Sequence, residues 1–249
     1  MKILFAGEDL APGSGRYLLG VFRAIGAQVT HVPSSDRLHA RVFNRPYDAI
    51  ILSDFPQAHA PKRAQQIIAA QVADRTGLLM IGGWGSFSGP LGHWQDSIIE
   101  TLLPITCLSR DDRLNFPSGA LIVPKSHHPM WHGMSFGAPA AICGLNRVRP
   151  RPESQVLLCA RKIVMSRQSL ATDRLRLEPV EHPLLVIGTN PGRRVAALAT
   201  DAAPHWCGGF IDWGSRSVTL PVTANIRAEV GDRYVRFFSC LVRWLARQR

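Results

Sequence analysis

The chain has 249 residues, 46% hydrophobic and 19% charged, an ordinary globular balance that can supply a sizeable core. No apolar stretch reaches the roughly 18 residues needed to cross a bilayer, and the opening "MKILFAGEDL" turns acidic too soon for a secretory leader, so the expected compartment is the cytoplasm, with no membrane partner. The net charge of +11 raises nucleic acid as a partner, but the densest stretch, Arg147 to Arg176, has no aromatic residue for base stacking and no zinc-finger or helix-turn-helix spacing, which favours a solvated or subunit-facing basic surface.

The first hundred residues alternate strand and helix patterns. "KILFAG" reads as a short buried strand; Leu18, Leu19, Phe22 and Ile25 then recur at helical spacing, and Gly26 stops that helix. "AQVTHV" is a second strand. "YDAIILSDF" is a third, polar only at its ends, as a central strand covered on both faces should be. A helix follows from Pro61 to Ala73, with Ile67, Ile68 and Val72 facing inward. "GLLMIGG" is a fourth strand and "DSIIETLL" a helix stopped by Pro104. This alternation predicts a doubly wound, mainly parallel α/β sheet. Further strands are expected at Ala120 to Val123, Val156 to Cys159, Leu184 to Ile187 and Val195 to Leu198, the last two joined by the hairpin turn "GTNPGRR". Asp232 to Arg249 forms an amphipathic helix, with Tyr234, Phe237, Phe238, Leu241, Val242 and Leu245 on one side and Arg236, Arg243 and Arg247 on another. Without an internal repeat or linker, one domain over residues 1–249 with an elaborated, β-rich second half is expected. The five scattered cysteines, Cys107, Cys143, Cys159, Cys207 and Cys240, contain no C-x-x-C pair and read as free thiols.

Open parallel sheets bind ligands beyond the carboxyl ends of their strands. The residues there are Glu8 and Asp9 after the first strand, Ser53 and Asp54 after the third, Trp84 to Ser88 after the fourth, and Thr200, Asp201 and His205 after the late strand. Glu8 and Asp9 are paired carboxylates suited to acid–base work, although acidic residues ahead of a helix also complement its dipole. Ser86, Asp201 and His205 are the residue types of a hydrolase triad, yet neither Ser86 nor Ser88 stands at G-x-S-x-G spacing. "APGSGR" lacks the spacing of a phosphate loop. His127, His128 and His132 lie close in sequence, but Pro129 and Gly133 break any helix that would align them, so no metal is expected there. Trp84, Trp94, Trp206 and Trp213 fall in or near predicted loops, where an indole either stacks on a sugar or packs loops together.

Taken in order, "ILFAGED", "YDAIILSDF", "GLLMIGGWGSFSG", "LPITCLSRDDR", "HHPMWHG" and "GRRVAALATDAAPHW", between residues 3 and 206, resemble the class I glutamine amidotransferase-like proteins. The closer resemblance is to their "putative glutamine amidotransferase" branch of uncharacterised cytoplasmic proteins, related in fold to trehalose-utilisation-type proteins. It implies a flavodoxin-like sheet, a nucleophile elbow of Gly-x-Cys-x-Gly after the fourth strand, and a histidine and a glutamate after a late strand. Aligning the last glycine of that elbow with Gly85 puts Gly83 at the cysteine position, and "DAAPHW" does not reproduce His-Pro-Glu. Glycine cannot attack an amide. The expectation is a divergent member that does not hydrolyse glutamine, carries no cofactor and assembles as a homo-oligomer. It would bind a small polar ligand, such as a carbohydrate, in a cleft formed by Glu8, Asp54, Gly83, Trp84, Ser86 and Asp201. The alternative is changed chemistry: a hydrolase using Ser86 with His205 or Asp201, or a lyase using Glu8 and Asp54.

Overall fold

The computed structural model describes residues 1–10, 13–164, 176–190 and 192–248. The first half runs β1 (Lys2–Gly7), α1 (Arg16–Ala24), β2 (Gln28–Pro33), β3 (Ala49–Ser53), α2 (Lys62–Ala73), β4 (Gly77–Ile81) and α3 (Ile98–Leu102). Strands then dominate: β5 (Ile105–Thr106), β6 (Arg113–Pro124), β7 (Ala141–Asn146), β8 (Arg149–Pro150), β9 (Ser154–Val164), β10 (Arg176–Leu177), β11 (His182–Gly188) and β12 (Val195–Leu198). The chain closes with α4 (Pro204–Cys207), the hairpin of β13 (Ser217–Pro221) and β14 (Arg227–Gly231), and α5 (Asp232–Leu245).

Strands β2, β1, β3, β4 and β12 lie side by side in that order and run parallel. This is the 2-1-3-4-5 order of a flavodoxin-like, doubly wound sheet. The β-rich second half continues the same sheet, because β11, β9, β6 and β7 follow β12, each antiparallel to its neighbour. Every residue of β3 and β4 is buried, as their unbroken apolar runs require of strands covered on both faces. Helix α5 buries Tyr234, Phe237, Phe238, Leu241, Val242 and Leu245. Phe210, from the loop after α4, packs on Tyr234 and Phe237 at ring distances of 5.5 and 5.1 Å. Full burial of an aromatic of this size stabilises by about 1.5–3 kcal/mol, so the chain beyond β12 is anchored to the core helix.

The first-half elements fall within a residue or two of their expected places, apart from a shorter α3. That helix begins at Ser97, whose Oγ accepts from the Glu100 N–H (3.1 Å) while Glu100 reaches back to the Asp96 N–H (2.5 Å). Strand β6 is longer than the apolar run Ala120 to Val123 suggested. Its register shifts between Asn115 and Ala120, and this bulge absorbs the turn-like Pro117–Gly119, with Gly119 at φ +78°. Strands β11 and β12 pair antiparallel as expected; Pro191 of their turn lies outside the described residues, as do Ala11, Pro12, residues 165–175 of the basic stretch, and Arg249.

Candidate functional site

The chain leaves β1 through α1 to β2 on one side and returns to β3 on the other, so the strand order reverses between β1 and β3. That reversal opens the crevice in which such sheets hold ligands. Glu8 follows β1, Asp54 follows β3 and Asp201 follows β12. Glu8 is 8% exposed and Asp201 fully buried, Asp54 is half-buried and His205 is exposed at the surface. His205 Nε2 stands 3.1 Å from Asp201 Oδ2, although the geometry is not that of an aligned hydrogen bond. Glu8 Oε2 and Ser53 Oγ are likewise buried without a hydrogen-bond partner among the described residues. The other Asp201 oxygen accepts the Ala203 N–H at 2.9 Å, turning the chain into α4.

Three carboxyl groups in this space cannot all ionise freely. Burial, and then the charge of Asp54, push the Glu8 carboxyl up to about 7 from 4.5. Burial, followed by Glu8 and Asp54, raises Asp201 well above the usual carboxylate range. Asp54 is also raised by burial, opposed by the Gly85 N–H and by His205. The cluster therefore holds protons near neutral pH, and they belong to the coupled group rather than to one residue. Tyr234 closes the floor, its hydroxyl donating to the Ala202 carbonyl at 2.9 Å.

The corner after β4 is built around Asp54. Gly83 has φ +143°, and a Cβ there would fall 2.5 Å from Asp54 Oδ1 and 2.6 Å from its Cγ. Asp54, itself at φ +45°, accepts a hydrogen bond from the Gly85 N–H. The aspartate thus occupies the space a nucleophile's Cβ would need. Behind the corner, Asn146 at the end of β7 accepts from the Gly83 N–H (2.9 Å) and donates to the Gly83 carbonyl (3.1 Å) and to Asp112 Oδ1 (2.7 Å). Asp112 Oδ2 accepts the Ser88 N–H at 2.7 Å, and burial pushes the Asp112 carboxyl up to about 6. Asn146 and Asp112 were missed from sequence. Asp112 lies within "LPITCLSRDDR", but only the long-range pairing of β6 with β7 brings it to the elbow.

The structure brings Glu8, Asp54, Gly83, Asp201 and His205 together, but not as the open cleft expected of them. Ser86 is 1% exposed; its hydroxyl donates to the Ile81 carbonyl (2.5 Å) and accepts the Asp54 N–H (3.1 Å). A hydroxyl with its proton so engaged, and with no hydrogen bond to His205, ties β4 to the end of β3, which argues against a serine nucleophile. Glu8 and Asp201 are too buried to line an open wall, and the principal cavities, of about 280 to 670 Å³, are lined by other residues. Trp84 alone of the four loop tryptophans is exposed, at 47%, and its ring lies under the Arg113 guanidinium, 4.4 Å from the centroid. Trp94, Trp206 and Trp213 are packing residues whose indoles donate to Phe55 and Gly85, to Asn115 and to Ala138. Asp9, beyond Glu8, accepts from Ser35. Cys207, near Asp201, is fully buried and its thiol is pushed far up by burial, which removes it as a nucleophile. His128 accepts the Met130 N–H and packs edge-on against Trp244; among the described residues no three His, Cys, Asp or Glu side chains could hold a metal ion together. Arg147, Arg151 and Arg161 of the basic stretch donate to backbone carbonyls.

A search of curated protein sequences found no match. Among solved structures, the chain is similar to cytoplasmic protein STM1381 of Salmonella typhimurium LT2, with 24% identity, TM-score 0.71, and 98% of this chain and 99% of that one covered. Cytoplasmic protein STM3548 of Salmonella typhimurium follows at 21% identity and TM-score 0.71, covering 98% of each chain. A ThuA-like protein of Parabacteroides merdae is similar at 12% identity and TM-score 0.60, covering 99% of this chain and 90% of that one. At these identities the likeness is one of fold. The family profile described as "Putative glutamine amidotransferase" matches residues 16–223, and the chain belongs to that glutamine amidotransferase-like family.

Proposed function

We propose that this chain is a glutamine amidotransferase-like protein that does not hydrolyse glutamine and that binds a small polyhydroxylated ligand, of carbohydrate type, at the carboxyl ends of β1, β3, β4 and β12. The observation that carries the reading is the seating of Asp54 over Gly83: the nucleophile position is filled by a carboxylate that belongs to a cluster with Glu8 and Asp201. Carboxyl groups accept from hydroxyls when ionised and donate to them when protonated, and the exposed Trp84, next in sequence to Gly83, supplies an aromatic ring. Calorimetry of the purified protein with a panel of sugars and polyols tests this. Binding of at least one, lost in Asp54→Asn, with no ammonia released from glutamine, is expected. Failure of the whole panel, or measurable glutaminase turnover, refutes it.

A second reading rests on Glu8. A carboxyl held near 7 beside Asp54, itself raised by burial, suits general acid–base chemistry, as in a lyase using Glu8 and Asp54. Exchange of a ligand carbon-bound hydrogen in D₂O, abolished in Glu8→Gln, would favour it over simple binding; an inert bound ligand removes it. We also propose a cytoplasmic homo-oligomer. No helix among the described residues is long and apolar enough to cross a membrane, and two proteins of similar fold are named cytoplasmic; light scattering on the purified protein tests the assembly.

A further inference from the structure

At the end of β12 opposite Asp201, a groove of about 670 Å³ runs between α5, the turn at residues 129–132 and the residue leading into β12. Three arginines face it. Arg236 and Arg243 stand seven residues apart on α5, which at 3.6 residues per turn puts them on one face. Cys240 lies between them, and both guanidiniums act against burial on its thiol. From the other wall Arg194 donates to the Trp244 carbonyl and lies over its indole at 5.7 Å; burial first, and then the Arg194 charge, lower both His128 and Arg247. The compensation is sparse. Among the described residues Asp232 is the only carboxylate lining the groove, and it already accepts from the Ser215 N–H (3.0 Å) and faces Arg216 (3.8 Å). Arg236 makes a long bond to the His132 carbonyl at 3.4 Å and meets the Cys240 thiol, and neither contact supplies a counter-charge; the Arg243 guanidinium makes no hydrogen bond or ion pair among the described residues. A groove lined by three cations and one carboxylate already engaged elsewhere carries a net positive field, which attracts an anion.

We propose that this groove is a binding site for the phosphate group of a small phosphorylated metabolite, held by Arg194, Arg236 and Arg243. Guanidinium forks match phosphate oxygens in charge and geometry, and the groove has the volume of a small-molecule site. Met130, Val235 and Trp244 supply apolar wall for the rest of the molecule. The site is independent of the carboxyl cluster, and it accounts for the cationic side of α5.

Calorimetry at low ionic strength with inorganic pyrophosphate and with adenosine monophosphate tests the proposal, and a short single-stranded RNA serves as the competing source of phosphate. Binding of either small probe is expected, weakened about tenfold or more in Arg243→Gln and in Arg236→Gln, as loss of a charge-assisted contact implies. Arg149→Gln on β8, outside the groove, should leave it unchanged. Circular dichroism of the variants separates lost binding from lost folding, and both substituted residues on α5 are exposed. No binding of either small probe, equal weakening by all three substitutions, or binding of the RNA alone would each overturn the assignment.

Discussion

Replacing Glu8 by glutamine keeps the size of the side chain and removes its charge. In the folded protein the Glu8 carboxyl is held at about 7 rather than 4.5, so between these values the native state binds more protons than the unfolded chain. Stability then falls as pH rises through that window and levels off above it. Each tenfold change in proton affinity is worth about 1.4 kcal/mol, so ionising Glu8 removes about 3 kcal/mol by pH 8. Glu8→Gln avoids that loss. Urea unfolding should show the variant more stable than the natural protein by about 3 kcal/mol near pH 8, but by under about 1 kcal/mol near pH 5. Asp201, raised for the same reasons, keeps part of the pH slope in both proteins. An equal effect at the two pH values, or destabilisation at the higher one, would refute the carboxyl cluster as described. A gain in stability on neutralising a buried acid is the mark of a site held in a strained charge state for function.

The remaining predictions concern the elbow. Gly83→Cys should release no ammonia from glutamine and should lower stability by about 2–4 kcal/mol in urea unfolding, because its Cβ meets Asp54 and its backbone is at positive φ. Asn146→Ala leaves both Gly83 backbone groups and Asp112 short of a partner, with an expected loss of about 3 kcal/mol by the same assay. Ser86→Ala should cost about 1–2 kcal/mol, and a serine-directed fluorophosphonate should leave the natural protein unlabelled; an adduct on Ser86 in mass spectrometry would reverse that assignment. Trp84→Ala, at an exposed ring, should change stability by no more than about 0.5 kcal/mol while weakening sugar binding measured by calorimetry.

The parallel half of the sheet was legible because β1, β3 and β4 are short apolar runs punctuated by Gly and Pro, and the α1 and α2 segments repeat at helical spacing. The antiparallel half was read only in fragments. Within β6, "PSG" looks like a turn and is a bulge, and β7, "AICGLN", carries small and polar residues that take strand form only once β6 lies beside them. Among the tryptophans, the local sequence is similar at "GGW", "GHW", "APHW" and "IDW", and burial alone separated Trp84 from the three that pack.

Gly83 at the expected cysteine position was written in the sequence, since the identity of a residue and its distance from neighbouring glycines need no coordinates. Glu8, Asp54 and Asp201 could also be placed at strand ends, because the end of an apolar run marks where a parallel strand reaches the ligand-binding edge. Their burial, the seating of the Asp54 carboxylate over Gly83 and the engagement of the Ser86 hydroxyl by Ile81 were decided only by the tertiary structure. Those properties depend on which strands become neighbours and how closely their ends approach, and a carboxyl's proton affinity is set by the groups brought to it through space.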